Sequence, residues 1–422
     1  MGGYGWAFHI GSTLRARAIE YVKKAGESVP LLDFGYLAAI FRQKGHEVCV
    51  VRNEIPDADL YLMHVSMVDY RYEMTWIERI RKEKPSAKIG ILGPFAGFRK
   101  DLFLPKCDFV IDGEPEAVGL EIADGKMPSG LVKSPPIKDL DSLPFPAWDL
   151  FPVHEYSYFP AIRERPFLVI LSSRGCTFSC DYCPYPVNFT WNERSAENVL
   201  DEIGRNIEEF GMKAFLFRDP LFSIKKKRAR AIAEGIIARG YDIKWACETR
   251  LDLLDEDLID TFYRSGLRVI NVGVESADEA LLKNIDRVPI PRAHAEKIID
   301  HCDKLGIRVT AFYVLGLPMD SVEKIKGTIE YAKHLNTHAA MFYLATPFPG
   351  TEYYAKVKGE LLTEDFERMD CFTPVVKHPD LEPKQLNKLL EYAYLSYYYR
   401  PRWAAALARR IWRDIFPTKL PS

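Results

Sequence analysis

At 422 residues, 47% hydrophobic and 27% charged, the chain has the make-up of a globular protein too long for one core, and two or three domains are expected. A formal net charge of −2 gives no whole-protein attraction to nucleic acid or an anionic membrane. Its eight cysteines are too few for a disulfide framework, and no apolar run reaches the roughly 18 residues that span a bilayer. The opening MGGYGWAFHIGS has neither a basic nor an apolar signal region, so a reducing cytoplasm is the expected location.

Residues 1–135 read as alternating strands and helices. A short strand is expected at Tyr4 to Ile10. A helix follows over Leu31 to Phe41, with Leu32, Tyr36, Ala39 and Ile40 on one face, ending at Lys44-Gly45. Strands are expected at Glu47–Val51, Asp59–Ser66, Lys88–Gly93 and Asp108–Ile111, with a helix from about Tyr72 to Lys84. This order predicts a parallel, doubly wound, Rossmann-like sheet. Its strands run into Ser66-Met67, Gly93-Pro94-Phe95-Ala96-Gly97 and Gly113-Glu114-Pro115-Glu116. Three such loops at one carboxyl edge make either a ligand crevice or ordinary strand-end turns.

Residues 136–166 form a proline-rich linker, DLDSLPFPAWDLFP at its centre. Its prolines exclude helix and interior strand, and its apolar residues predict packing against both neighbours.

In residues 167–350 the apolar run Phe167–Leu171 predicts a buried strand. It leads into Cys176, Cys180 and Cys183, a C-x3-C-x2-C loop. Three thiolates at this spacing suit one face of an iron–sulfur cube and leave the fourth iron open. A structural zinc site would need a fourth ligand, and no C-x2-C or H-x3-H partner follows. Five further strands lead to Arg218-Asp219, Glu248-Thr249-Arg250, Glu275-Ser276, Gly316-Leu317-Pro318 and Thr346-Pro347. Six βα units are too few for a closed eightfold barrel and predict a partial (β/α)6 barrel, with its polar residues at the functional strand ends. Ser276 with Glu279 also reads as a capping box. Arg250 also fits a plain barrel ion pair, and Asp219 has no single reading. The run Lys225–Arg228 is expected to be a solvated helix face.

Residues 351–422 read as a helical C-terminal segment. Tyr392, Tyr394, Tyr397, Tyr398 and Tyr399 are bunched ahead of a basic, Trp-bearing amphipathic stretch. Such a helix either closes a barrel or lies on a membrane. Cys371 has no assigned role.

The octapeptide CTFSCDYC, with Tyr182 before its third cysteine, resembles the cluster loop of the radical S-adenosylmethionine (SAM) enzymes. WACETR, GVES, FYVLGLP and the turn PFPGT resemble motifs of the same family. The stretch PLLDFGYLAAIFRQKGHEV, the loop GPFAG and the turn DGEPE resemble the cobalamin-binding domain that precedes the barrel in its cobalamin-dependent members. The likeness runs from about residue 30 to 355.

This resemblance implies a [4Fe–4S] cluster on Cys176, Cys180 and Cys183. It implies SAM contacts at Tyr182, Glu248, Arg250, Glu275, Ser276, Gly316 and Thr346. Cobalamin contacts are implied at Ser66, Met67, Gly93, Pro94, Phe95, Gly113 and Glu114. SAM cleavage to a 5′-deoxyadenosyl radical would then serve methylation, through methylcobalamin, of an unactivated carbon on a peptide, protein, small molecule or lipid. The reductant would be an external flavodoxin or ferredoxin type donor, and no nucleic acid partner is expected. None of the nine histidines lies in a D-x-H-x-x-G pattern, so no lower histidine ligand is expected. Two rivals remain: a cobalamin-binding radical SAM enzyme that closes or rearranges rings without methylating, and a non-enzymatic cluster protein that carries electrons or senses oxygen. A methylthiotransferase would need three more cysteines ahead of the cluster, where only Cys49 and Cys107 stand.

Overall fold

The computed structural model describes residues 9–24 and 26–415, so most of the strand expected at Tyr4 to Ile10 lies outside the described residues. Four parallel strands, Leu60–His64, Lys88–Leu92, Phe109–Gly113 and Gly130–Ser134, pair in sequence order. Both faces are covered, as a parallel sheet requires. Leu32–Gln43 and Pro115–Ala123 pack on one side, and Tyr70–Glu83 with Phe95 and Phe103 on the other.

Two expectations need correction here. Glu47–Val51 is not a strand. Val48 and Val50 bury against two different cores without a ladder partner, while Val51 stays exposed. Gly130–Ser134, too short an apolar run to read from sequence, supplies the sheet's fourth strand instead.

The second sheet holds Phe167–Ile170, Ala214–Phe217, Lys244–Thr249, Leu267–Glu275, Arg308–Leu315 and Ala339–Leu344, all parallel and unpermuted. This is the expected six-unit partial barrel. Its outward residues meet the helix layer. The Trp245 ring, for example, lies 5.3–6.4 Å from those of Phe215, Phe217, Phe222 and Phe262. The first and last strands do not pair with each other.

The tyrosine-rich helix Pro383–Tyr398 covers the free edge of the last strand. The Tyr394 hydroxyl accepts from Phe342 N (3.1 Å) and donates to Phe342 O (3.0 Å). One helical turn on, Tyr398 does the same with Ala340 N (3.1 Å) and Ala340 O (2.8 Å). Two hydroxyls thus stand in for a missing neighbouring strand, which blunts an edge that would otherwise template association. The Tyr394→Phe/Tyr398→Phe double variant should lose about 2–3 kcal/mol, at roughly 1 kcal/mol or more per unsatisfied site. It should also self-associate with rising concentration. Denaturant midpoints and sedimentation velocity check both.

The basic stretch beyond docks onto the barrel in its first part. Arg400 and Arg410 bond the carbonyl end of the helix Val322–Leu335 and its Asn336 cap, and Trp403 donates to His338 O. Among the described residues, no helix is long and apolar enough to cross a membrane.

Three connections fix the first sheet over the barrel. The linker buries Trp148 against Gly35 of the helix Leu32–Gln43. A Cβ on Gly35 would lie 2.8 Å from Pro146 Cβ and 3.2 Å from the Trp148 ring, so only glycine allows this approach. A return segment brings Phe366 onto Phe95 (5.3 Å), while Arg71 pairs with Asp365 (2.7 Å) and Glu367 (2.6 Å). The third connection is the buried cluster Arg174–Glu114–Glu116.

Candidate functional site

The strand Phe167–Ile170 delivers the chain to Ser172 and Ser173, which Asp219 anchors: Oδ1 accepts from Ser172 N (2.7 Å) and Oδ2 from both hydroxyls (2.5 Å each). Asp219 is therefore spent on holding this turn. Arg228, expected on a solvated face, is buried here, donating to Ser172 O (2.9 Å) and pairing with Glu193 (3.1 Å). A small antiparallel ribbon, Ser173–Arg174 with Asn192–Glu193, closes the cysteine loop at its base. Gly175, at φ +70°, lets that loop press on Phe189 O and Trp191 N.

Two arginines flank the thiols. Arg287 Nη1 lies 3.9 Å from Cys180 Sγ, and its Nη2 donates to Gly273 O (2.7 Å) and pairs with Glu275 (3.2 Å). Glu275 has φ +66° at an irregularity in the strand register, which turns its carboxylate toward Arg287. Arg250 stacks 4.5 Å over Phe178 in the cysteine loop and bonds Asp252 (2.9 and 3.0 Å) and Val288 O (3.0 Å). Sequence gave no sign of Arg287, whose loop carries no motif. Burial pushes the Cys183 thiol up to about 12 and raises that of Cys176, so thiolate formation there depends on metal.

The donor set fits a site-differentiated cluster: three thiols on one short loop with two guanidiniums nearby to offset their negative charge. It also fits SAM. Arg250 Nη1 is buried without a hydrogen-bond partner, a cation available to a carboxylate. At the ends of the strands Arg308–Leu315 and Ala339–Leu344 an apolar cleft is lined by Gly316, Pro318, Leu344, Ala345, Tyr353 and Val376, and Tyr182 packs against the neighbouring apolar cluster of Leu317, Ala345 and Tyr353. Asp320 holds the Gly316 turn, accepting from Gly316 N (2.8 Å) and Leu317 N (3.2 Å), and burial pushes its carboxyl up to about 7. Arg250→Met should weaken SAM binding by about 10- to 100-fold, the worth of one charged hydrogen-bonded contact. Equilibrium dialysis of the iron-loaded protein reads this.

Not every expected SAM residue faces the cleft with a free group. Ser276 Oγ contacts Thr328 Oγ1 (3.2 Å) and accepts from Asp278 N (3.1 Å), and the cap of the next helix is Asp278, not Ser276. Thr346 donates to Leu344 O (3.1 Å), and the Cys371 thiol near it is pushed up to about 12 by burial. Glu248 points deeper into the barrel, 3.8 Å from Arg218.

On the first sheet, Ser66, Gly93 and Pro94 remain at the carboxyl edge, and Ser66 Oγ is buried with no partner, as a ligand crevice would leave it. His64 and Asp33 lie at the same edge, 4.0 Å apart, and burial lowers the His64 pKa. Three other expected residues are engaged elsewhere. Met67 and Phe95 are buried in the core, and Glu114 is ion-paired to Arg174. Gly113 turns its backbone against Ser134 O. The crevice thus fits a corrinoid on Ser66 and the Gly93-Pro94 backbone, with fewer side chains than expected.

Residues 170–332 match the Radical SAM superfamily. The chain is 28% identical to an uncharacterized methyltransferase of Pyrococcus horikoshii, over 89% of each chain. It is 27% identical to the bacteriochlorophyllide d C-12(1)-methyltransferase of Chlorobaculum tepidum, over 68% of this chain and 62% of that one. In structure it is similar to the radical SAM methyltransferase TsrM of Kitasatospora setae, with a TM-score of 0.69 and 15% identity over 92% of this chain and 96% of that one. It is also similar to the cobalamin-dependent SAM radical enzyme OxsB, with a TM-score of 0.68 and 16% identity over 93% and 70%. Residues 170–332 are therefore a radical SAM domain, set in a chain with the fold of TsrM and OxsB.

Proposed function

We propose that the protein is a cobalamin-dependent radical SAM methyltransferase acting on an unactivated carbon, reduced by an external one-electron donor of the flavodoxin or ferredoxin type. One observation carries the reading: Arg174, two residues before Cys176, is ion-paired to Glu114 and Glu116 in the sheet-edge loop. A corrinoid crevice and an open-iron loop are thereby fixed on one chamber, which a chemistry shared between two cofactors requires.

When bound, the cluster and SAM supply a hydrogen-abstracting radical, and cobalamin supplies the methyl group. Cys176, Cys180 and Cys183 would hold the cluster. Arg250 would take the SAM carboxylate, and the Gly316–Tyr353 cleft would take its base. Arg287 and Glu275 keep the loop's charge balanced and its position fixed. The linker, through Trp148 on Gly35, and the return segment, through Phe366 on Phe95, hold the first sheet in place over the barrel.

The test is anaerobic reconstitution with iron, sulfide and cobalamin, then desalting and a visible spectrum, then turnover with methyl-labelled SAM. Corrin bands retained beside the broad cluster absorption, with label moved to a carbon acceptor, support the reading. Corrin that washes away from a cluster-loaded protein overturns it. A ring-closing activity would consume SAM and leave the product unlabelled.

A further inference from the structure

The deeper part of the barrel holds a charged pair that none of the cofactor contacts uses. Glu248 lies two residues before Arg250 on the same strand face, about 7 Å further into the barrel at roughly 3.3 Å per residue. Its carboxylate is 3.8 Å from Arg218, beyond hydrogen-bonding distance, and the two side chains keep 32% and 41% of their surface accessible. Among the described residues, the Arg218 guanidinium makes no hydrogen bond. Arg174, Arg194, Arg228, Arg250 and Arg287 each make several.

Three tyrosines lie near enough to the pair to feel its charge. Tyr185 follows the last cluster cysteine, and its hydroxyl feels Arg218, Glu248 and Cys183. Tyr158 is held by Asn271 Nδ2 (2.8 Å) and stacks on Phe167. Tyr343, on the last strand, stacks on Phe312 and feels Cys371, Glu27, Glu248 and Tyr158. Asp33 also faces Arg218 from the first domain. This deeper part of the barrel therefore offers the Arg218 cation, the Glu248 carboxylate and aromatic rings. A guanidinium and a carboxylate that are enclosed, accessible and barely paired leave hydrogen-bonding capacity that the protein does not fill.

We propose that Arg218 and Glu248 anchor the substrate and that the substrate carries an amino-acid head group, its carboxylate on Arg218 and its ammonium on Glu248, with an aromatic side chain against Tyr158, Tyr185 and Tyr343. Glu248 is then a substrate residue and not a SAM contact. The two groups sit too close together to be read by two distant parts of a large ligand, and a zwitterion inserts between them with both charges satisfied. The carboxylate of Asp33, beside that of Glu248, favours a ligand that brings positive charge. The aromatic rings add cation–π attraction for the ammonium.

This rests on the methyltransferase reading for its reaction and not for its binding. The test is equilibrium dialysis of the full, cluster-loaded chain against labelled L-phenylalanine, L-tyrosine and L-tryptophan. 2-Phenylethylamine and 3-phenylpropionate, which each lack one charge, are run beside them. At least one amino acid should bind at least tenfold more tightly than either truncated probe. Arg218→Gln should bring phenylalanine-type binding down to the phenylethylamine level, and Glu248→Gln to the phenylpropionate level, while Arg218→Lys keeps part of the preference. Cluster absorbance and circular dichroism confirm that each variant is folded. If no amino acid binds, or if the preference survives both variants, the proposal falls. Corrin retention and label transfer are read separately, so either conclusion can fail alone.

Discussion

Replacing Cys183 with alanine is expected to drop bound iron from about four atoms per chain to near zero and to abolish SAM cleavage. In the proposed site three thiols are the whole donor set. The other cysteines cannot substitute: Cys107, Cys247 and Cys302 are buried in cores, Cys49 is exposed on the first domain, and Cys371 packs against the barrel core. Cys302→Ala, a change under the helix layer, is the matched control and should keep its iron. Iron and sulfide assays with the visible spectrum decide the matter. A variant that kept a full complement of iron would mean that the C-x3-C-x2-C loop is not the ligand set. A structural zinc site would instead show metal without the brown absorption.

That loop was legible because its chemistry sits in eight consecutive residues. The barrel was legible for a related reason: each strand is a compact apolar run that ends in small or polar residues. The observed span Phe167–Ile170 lies within a residue of its expected limits, and Ala214–Phe217 and Arg308–Leu315 end directly ahead of Arg218 and Gly316 as expected. What sequence did not reveal depends on partners far along the chain. Arg228 reads as one more charge in KKKR, yet its partners are Ser172 and Glu193. Met67, Phe95 and Glu114 read as loop residues free for a ligand, and their burial is settled by Phe366 and Arg174, some 60 to 300 residues away. Arg218 follows a strand with nothing in the sequence to separate it from an ordinary ion pair. Among the described residues, only the lack of any hydrogen bond from its guanidinium sets it apart.

The same separation explains why Arg174 should have a large effect although it touches no cofactor. Its guanidinium donates to Glu114 (2.7 Å) and to both oxygens of Glu116, one of them at 3.0 Å, and the three side chains are 7%, 4% and 0% exposed. One cation serves two carboxylates, and burial already raises the Glu116 pKa despite that cation. Arg174→Met leaves two buried carboxylates unpaired and should cost about 3–5 kcal/mol.

The loss should depend on pH with a defined sign. A carboxyl whose folded pKa lies above its unfolded value takes up protons on folding, so its stability contribution is present at low pH and falls as pH rises through the folded value. The variant should therefore be least stable near pH 8 and partly recover near pH 5. Denaturant unfolding at the two values reads this, and the Arg174→Met/Glu114→Gln/Glu116→Gln triple variant should be flat across the range and regain much of the loss. Because these residues join the sheet edge to the cysteine loop, Arg174→Met should still load its cluster but lose corrin on desalting. Corrin held as firmly as in the parent chain would mean that the linker and the Phe366 segment suffice to fix the two halves of the chamber.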